Sequence, residues 1–282
     1  MAEPAAKRQR LQRGGPAKWR LEGVRVVVTG STKGIGHEIA AELLSLGAHV
    51  FVTARNVEEV KKVVESFAQA HGADAVHGVA CDVATKEGRN TLMDKVSSLW
   101  GDRVDGLVNN VGTNKRKPIH EITDDEYDSM VRANLDSSWY LCKLMKPLLQ
   151  KSSRPSVVNV GSVAGVLSTG TGSVYAMTKA AMAHLSKSLA CEWGPLGVRV
   201  NCVCPWMTMT SLLEEAVKVN PAQLDVAKKA TPMRRLGEAE DTAGVVAFLL
   251  MQASSFVTGQ VICADGGLCS QGFCGPCVQE SA

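Results

Sequence analysis

The sequence predicts a single doubly wound α/β domain, built on a mostly parallel, seven-stranded sheet with helices on both faces. Three observations predict it. Short apolar runs alternate strictly with amphipathic helical patterns from residue 24 to about residue 267. Such alternation means parallel strands joined by right-handed crossovers, with helices packed on both faces. A glycine-rich turn lies at the first strand-to-helix junction, and neither an internal repeat nor a linker-like stretch interrupts the middle of the chain. At 282 residues, 45% of them hydrophobic, the chain has the size and composition of one such unit.

Each element follows from its pattern. Val24–Thr29 is an apolar run of the kind buried in a parallel sheet. Ile35, Ile39, Leu43 and Leu46 recur at helical spacing over Ile35–Leu46, which stops at Gly47. His49–Thr53 is the second strand, and Val57–Ala70 the second helix, with Asn56 as its N-cap. Strands over Ala75–Cys81 and Val104–Asn109 bracket a helix over Glu87–Trp100. A long helix is expected over Asp124–Leu149, ended near Pro147. Strand Ser156–Gly161, long helix Tyr175–Trp193 and strand Val198–Val203 come next. A polar, proline-interrupted helical stretch covers roughly 210–230. Helix Ala239–Met251 and strand Gln260–Ala264, closed by Asp265-Gly266-Gly267, complete a domain spanning 21–267. A basic arm over 1–20, expected to be disordered, precedes it, and a tail over 268–282 follows.

The net charge of +3 is unevenly placed. Lys7, Arg8, Arg10, Arg13, Lys18 and Arg20 oppose only Glu3 in the arm, which leaves the body slightly acidic. The basic balance therefore reports on a tail and not on a nucleic-acid-binding face, and the arm reads as a solvated segment. No apolar run approaches the roughly 18 residues of a membrane span, and the first twenty residues lack a signal-peptide core. With nine cysteines, an odd number, buried free thiols in the reducing cytoplasm are expected. Cys274-Gly-Pro-Cys277 has the form of a redox tetrapeptide but lacks the following helix that would depress a thiol pKa. Cys269, Cys274 and Cys277 lack a His at ligand spacing, so no metal is expected.

The turn Thr29-Gly30-Ser31-Thr32-Lys33-Gly34-Ile35-Gly36 has the composition of a phosphate loop. Gly30 permits the tight turn out of the strand, Gly34 allows close backbone approach to a pyrophosphate, and Gly36 lets the helix pack close to the sheet. Exposed N–H groups and the helix dipole then favour phosphate, which makes the domain one of Rossmann type. The second strand ends in Thr53-Ala54-Arg55-Asn56, without the carboxylate that would bind the ribose hydroxyls of NAD. Arg55 can instead fork onto a 2′-phosphate, and Lys33 supplies a second cation, so NADP(H) is the expected cofactor.

Hydride transfer to a ketone leaves an alkoxide-like oxygen in need of a proton. A Tyr can supply it, though its ordinary pKa is about 10. An ammonium about 4 Å away contributes up to ~4 kcal/mol at an effective dielectric of 20, or ~3 pKa units. Of the three tyrosines only Tyr175 has a Lys four residues on, Lys179, which would share its helix face. Ser162 lies just beyond the fifth strand, at the carboxyl ends where open α/β sheets bind ligands. Its hydroxyl is suited to bond the substrate oxygen.

These residues resemble the short-chain dehydrogenase/reductase family over roughly Leu21–Gly267. The ordered motifs are the Thr29–Gly36 loop, Cys81-Asp82-Val83, Asn109-Asn110-Val111-Gly112, Asn134, Ser162, Tyr175-Ala-Met-Thr-Lys179 and Asp265-Gly266-Gly267. Within the family the chain looks like the tropinone-reductase-like reductases, on Thr53–Asn56, Asn109–Asn114, Arg234–Glu238 and Val257–Gln260. The resemblance implies that Tyr175 donates the proton, that Lys179 lowers its pKa and holds the nicotinamide ribose, and that Ser162 polarises the carbonyl. It implies that Asn134 kinks its helix and anchors a water relaying protons to Lys179. Asp82 and Val83 would meet the adenine; Asn109, Val111 and Gly112 would support the strand end and cofactor. Pro205, Thr208 and Thr210 would border the nicotinamide, with Thr210 on its carboxamide. Helices 124–149 and 172–193 resemble the family's subunit contacts, implying a homodimer or homotetramer.

Two positions depart from the family pattern: Val111 where Ala is usual, and Trp206 where Gly often follows the Pro. Trp206 would narrow the substrate pocket or serve as buried packing. The substrate lobe is expected over 205–235, helped by 113–120 and 166–174. Trp206, Met207, Met209, Leu212 and Leu213 make it apolar, which predicts a small or medium apolar ketone. Lys115-Arg116-Lys117 reads as a solvated loop, although its charge would also attract an anionic substrate. The leading expectation is an NADPH-linked ketone reductase. The alternatives are a catalytically silent NADPH-binding sensor or scaffold, and an NAD-linked alcohol dehydrogenase of the same fold.

Overall fold

The computed structural model describes residues 16–210, 213 and 222–272. Seven strands form one sheet: β1 (Arg25–Thr29), β2 (His49–Ala54), β3 (Val76–Ala80), β4 (Gly106–Asn109), β5 (Ser156–Val160), β6 (Arg199–Pro205) and β7 (Val261–Ala264). Their order is β3-β2-β1-β4-β5-β6-β7, and every neighbouring pair is parallel. The chain begins in the middle of the sheet, winds outward to β3, then returns past β1 to β4. That reversal opens a crevice at the carboxyl ends of β1 and β4, where such sheets bind ligands.

The helices are α1 (Gly34–Ser45), α2 (Val57–His71), α3 (Lys86–Trp100), α4 (Asp124–Val131), α5 (Ser137–Leu149), α6 (Ser173–Trp193), α7 (Ala222–Ala230) and α8 (Ala239–Leu250). Strand side chains alternate between two cores. Val26 and Val28 pack with Ile39 and Leu43 of α1 and Val246 and Leu250 of α8. Val27 packs on the other face, with Leu92 and Val96 of α3, Leu141 and Met145 of α5, and Leu189 of α6. Burying a side chain of this size contributes about 1.5–3 kcal/mol. The two faces thus hold β1 rigidly beneath the loop that follows it.

The helix expected as one piece over 124–149 is two. A π-helical turn over Arg132–Asp136 separates α4 from α5, and Pro147 lies inside α5 instead of ending it. In the last turn Pro147 costs the helix one i→i−4 bond, and fully buried Leu149 beyond it holds that turn down. Residues 16–19 of the expected arm form a short 3-10 turn, with Trp19 stacked on Phe248 at 6.1 Å. Residues 1–15, Leu212, Cys274 and Cys277 lie outside the described residues.

Candidate active site

One crevice of about 1770 Å³ opens along the carboxyl ends of the strands. That is larger than the roughly 300–1,000 Å³ of a drug-sized pocket. Its floor at one end is the turn from β1 into α1. Gly34 takes φ +57°, and a Cβ on Gly36 would stand 2.2 Å from the Gly30 carbonyl oxygen. Only glycine at 36 therefore lets α1 start this close to the strand. The N-termini of α2, α3 and α4 are capped by Asn56, Thr85 and Thr123, whereas α1 has no side-chain cap. Its first-turn donors face the crevice, and with the helix dipole they suit a phosphate.

Gly30, Thr32, Lys33, Gly34, Ile35, Gly36, Arg55, Asp82, Val83, Val111 and Gly112 all line this crevice, as do Pro205, Thr208 and Thr210. Ser31 does not. Its hydroxyl donates to the Val28 carbonyl at 2.8 Å and accepts from the Thr53 amide at 3.0 Å, while its own amide donates to Thr53 oxygen. Ser31 thus corrects the expectation of a phosphate ligand: it stitches the loop to β2. Asn109 is likewise fully buried, its Nδ2 donating to Asn159 Oδ1 at 2.8 Å across β4 and β5. It supports the strands and does not line the crevice.

At the ribose end, Arg55 is exposed and has no side-chain partner among the described residues. Lys33 pairs with Glu59 at 3.3 Å, and Thr32 donates to the same carboxylate at 3.1 Å. Glu59 escaped the sequence reading, which looked for an acid only at the end of β2. The first turn of α2 folds it back over the glycine loop, with its amide held by the Asn56 cap.

The other end of the crevice holds Ser162, Tyr175 and Lys179. Ser162 follows β5, its hydroxyl accepting from the Ala164 amide at 3.1 Å. Tyr175 and Lys179 share one face of α6, as their spacing requires, and Ser162 and Tyr175 line the same end of the crevice, with Ser162 pulling the phenol's pKa down. The direction of the phenol's shift differs from expectation. Burial pushes the Tyr175 phenol above its ordinary value, against the pull of Ser162 and of the Arg116 charge. Lys179 Nζ donates to the Val160 carbonyl at 2.8 Å and stands 5.8 Å from the Tyr175 ring centroid. Burial pushes the Lys179 pKa down to about 8. Desolvation, which disfavours the charged form of each group, is the largest cause of both shifts.

Asn134 sits in the π turn and is fully buried behind the crevice wall. Its Oδ1 accepts from the Thr113 amide at 2.7 Å, and its Nδ2 donates to Thr113 oxygen at 2.9 Å and Thr178 Oγ1 at 3.1 Å. These bonds account for the extra residue in that turn and tie α6 to the loop after β4. Thr113 and Thr178 lie within motifs already quoted, but the motifs gave them no part in holding Asn134.

All three expected lobe segments reach the crevice, through Trp206, Met207 and Leu213, through Thr113–Arg116, and through Thr169 and Thr171. Trp206 both lines the crevice and donates its indole N–H to Thr231 Oγ1 at 3.1 Å. Met209 instead borders a separate shallow cleft beside α7 and α8. Cys263, Asp265 and Cys269 bring ligand atoms within 4.8 Å of one another. Both Asp265 oxygens, however, accept from the Gly267 and Cys269 amides of the closing turn.

A family model described as enoyl-(acyl carrier protein) reductase matches residues 30–269. A tropinone reductase homolog of Arabidopsis thaliana is 42% identical over 256 residues, covering 91% of this chain and 97% of the relative. The chain belongs to the short-chain dehydrogenase/reductase family. Senescence-associated protein 13 of the same plant is 40% identical over 264 residues, covering 92% and 95%. Among solved structures, a gluconate 5-dehydrogenase from Burkholderia cenocepacia in complex with NADP and tartrate superposes with TM-score 0.84 at 30% identity, covering 90% of this chain and 98% of that one. A putative NAD(P)-dependent gluconate 5-dehydrogenase from Beutenbergia cavernae, with bound NADP, matches at TM-score 0.84 and 30% identity, covering 91% and 100%. As a short-chain dehydrogenase/reductase, the chain is an oxidoreductase whose single Rossmann-type domain carries the crevice just described.

Proposed function

We propose that this short-chain dehydrogenase/reductase moves a hydride from NADPH to the carbonyl carbon of a small or medium ketone, with Tyr175 as the proton donor. One observation carries the reading. Ser162, Tyr175 and the buried Lys179 ammonium, 5.8 Å from the Tyr175 ring centroid, line one end of the same crevice as the uncapped start of α1. When bound, NADPH supplies the hydride. The residues fit it: first-turn amides of α1 for the pyrophosphate, Arg55 and Lys33 for the 2′-phosphate, and Asp82 and Val83 for the adenine. Val111, Gly112, Pro205, Thr208 and Thr210 would border the nicotinamide, and Lys179 its ribose. The NADP-bound relatives support the same cofactor.

In the reaction, Ser162 and Tyr175 both donate to the substrate oxygen. As the carbonyl carbon gains the hydride, that oxygen becomes alkoxide-like and far more basic than a phenolate. Tyr175 then gives it a proton. A phenol held protonated by burial is in the right state for this step and in the wrong state to act as a base. The reading therefore favours reduction at neutral pH. Asn134 acts as a positioning residue that fixes α6, and the Lys179 ammonium remains available below about pH 8.

NADPH absorbance with a ketone panel tests this. Tyr175→Phe should lower kcat by at least about 10²-fold while NADPH still binds. Unchanged turnover in that variant, or a wild type that binds NADPH and reduces no ketone, would refute it. The proposal extends to a homodimer or homotetramer through α4, α5 and α6, supported by exposed Trp139, Tyr140 and Met177. It also extends to the cytoplasm, supported by free thiols among the described residues; no described helix is long and apolar enough to cross a membrane.

A further inference from the structure

Three successive cations, Lys115, Arg116 and Lys117, follow β4 on the loop that walls the substrate end of the crevice, and their environments differ. Lys117 Nζ donates to both Glu126 oxygens, at 2.7 and 2.9 Å, and is neutralised there. Arg116 has no side-chain hydrogen-bond or ion-pair partner among the described residues, yet it lines the same crevice as Ser162 and Tyr175. Its charge reaches the phenol and pulls the Tyr175 pKa down.

The loop is held at the active-site mouth. Asn114 Nδ2 donates to the Thr171 carbonyl at 3.0 Å. Gly172, at φ +115°, packs so close that a Cβ there would stand 3.1 Å from Lys115 oxygen and 3.9 Å from Arg116 Cα. Among the described residues, Trp206, Met207, Thr208 and Gln223 of the following lobe, which also line the crevice, are uncharged. The acids on the Arg116 side are Glu126, already paired, and Asp125, which makes no ion pair among the described residues. An exposed guanidinium, without a partner among the described residues, thus lines the same crevice as the reacting hydroxyls, on a loop whose backbone is held in place.

We propose that Arg116 is an anion subsite, and that the ketone reduced here carries a carboxylate at the end remote from its carbonyl. The proposal rests on the reductase reading and names its substrate class. A planar guanidinium matches a carboxylate bidentately. The apolar body of a keto acid packs on Trp206 and Met207 while its carbonyl meets Ser162 and Tyr175. Lys115, exposed on the same loop, adds to the attraction.

Substrates differing chiefly in charge test this: levulinate and longer keto acids, each beside its methyl ester, assayed with NADPH. Wild type should favour at least one acid over its ester by about tenfold in kcat/KM. Arg116→Ala should bring that ratio near unity, chiefly through KM of the acid, and Arg116→Glu should invert it. Loss of Arg116 also alters Tyr175, but this slows acid and ester alike and cancels in the ratio. An acid-to-ester ratio that is the same in wild type and Arg116→Ala would overturn the subsite and leave the reductase standing. If no ketone is reduced, calorimetry of succinate with the protein–NADPH complex separates the two ideas. Succinate binding lost in Arg116→Ala supports the subsite without the reductase, and no succinate binding to wild type overturns it.

Discussion

Burial acts on Tyr175 and Lys179 by the same physics with opposite arithmetic: each is pushed toward its neutral form, the phenol up and the ammonium down to about 8. In the proposed reaction both must carry their proton. Reductive kcat/KM should therefore be level below about pH 8 and fall above it as Lys179 loses its charge; a profile flat to pH 10 would contradict the Lys179 assignment. Stability moves the other way. Between about 8 and 10.5 the unfolded chain holds a proton that folded Lys179 has released, so this group's contribution rises with pH across that window. The helix spacing of the pair was legible in the sequence. The direction of the phenol's shift was not, because spacing says nothing of how much water a fold removes or of the Val160 carbonyl that takes the ammonium.

The glycine loop works as an element because its neighbours hold it from behind. Ser31 joins β1 to β2 through two buried side-chain bonds. Ser31→Ala should leave the Thr53 amide unpaired and lower the urea-unfolding free energy by about 1–3 kcal/mol. NADPH affinity should fall only as far as the loop loosens, since the hydroxyl does not face the crevice. In front of the loop, the Lys33–Glu59 pair is exposed and weak, so a 2′-phosphate can displace it at little cost. Arg55→Asp should raise KM for NADPH, and Glu59→Gln should lower it a few-fold; the reverse order in steady-state kinetics would argue against the 2′-phosphate site. Loop composition and the Asn56 cap were readable from local pattern. Glu59 was not, since its approach depends on where α2 starts in space. The break at Arg132–Asp136 was legible only through the resemblance, which put a kink at Asn134; the helical pattern did not show it, because Asn134 bonds to Thr113 and Thr178, which are distant in sequence.

At the scale of the molecule, strict alternation sufficed for the sheet and its helices, since buried parallel strands leave few other ways to cover both faces. Whether the domain works alone is a question for its surface. On α5, Leu141, Cys142 and Met145 turn into the core, while Trp139 and Tyr140 stay 44% and 40% exposed, their rings 4.9 Å apart edge to face. On α6, Met177 is 50% exposed. Large exposed apolar groups on long helices mark interaction surfaces more often than scattered single residues do. The proposed homo-oligomer would cover them with the same helices of a second copy, in an isologous contact that places each Trp139 near the symmetry axis or against its mate. A carboxylate introduced there is then desolvated twice in each dimer, with only the Lys143 of its own helix beside it. Trp139→Glu should convert the dimer or tetramer seen by light scattering into monomers with an unchanged circular dichroism spectrum, because Trp139 is exposed and its ring contacts, Tyr140 and Lys143, lie on its own helix. A wild type that is monomeric at tens of micromolar, or a variant that keeps its mass, would remove α5 from the contact.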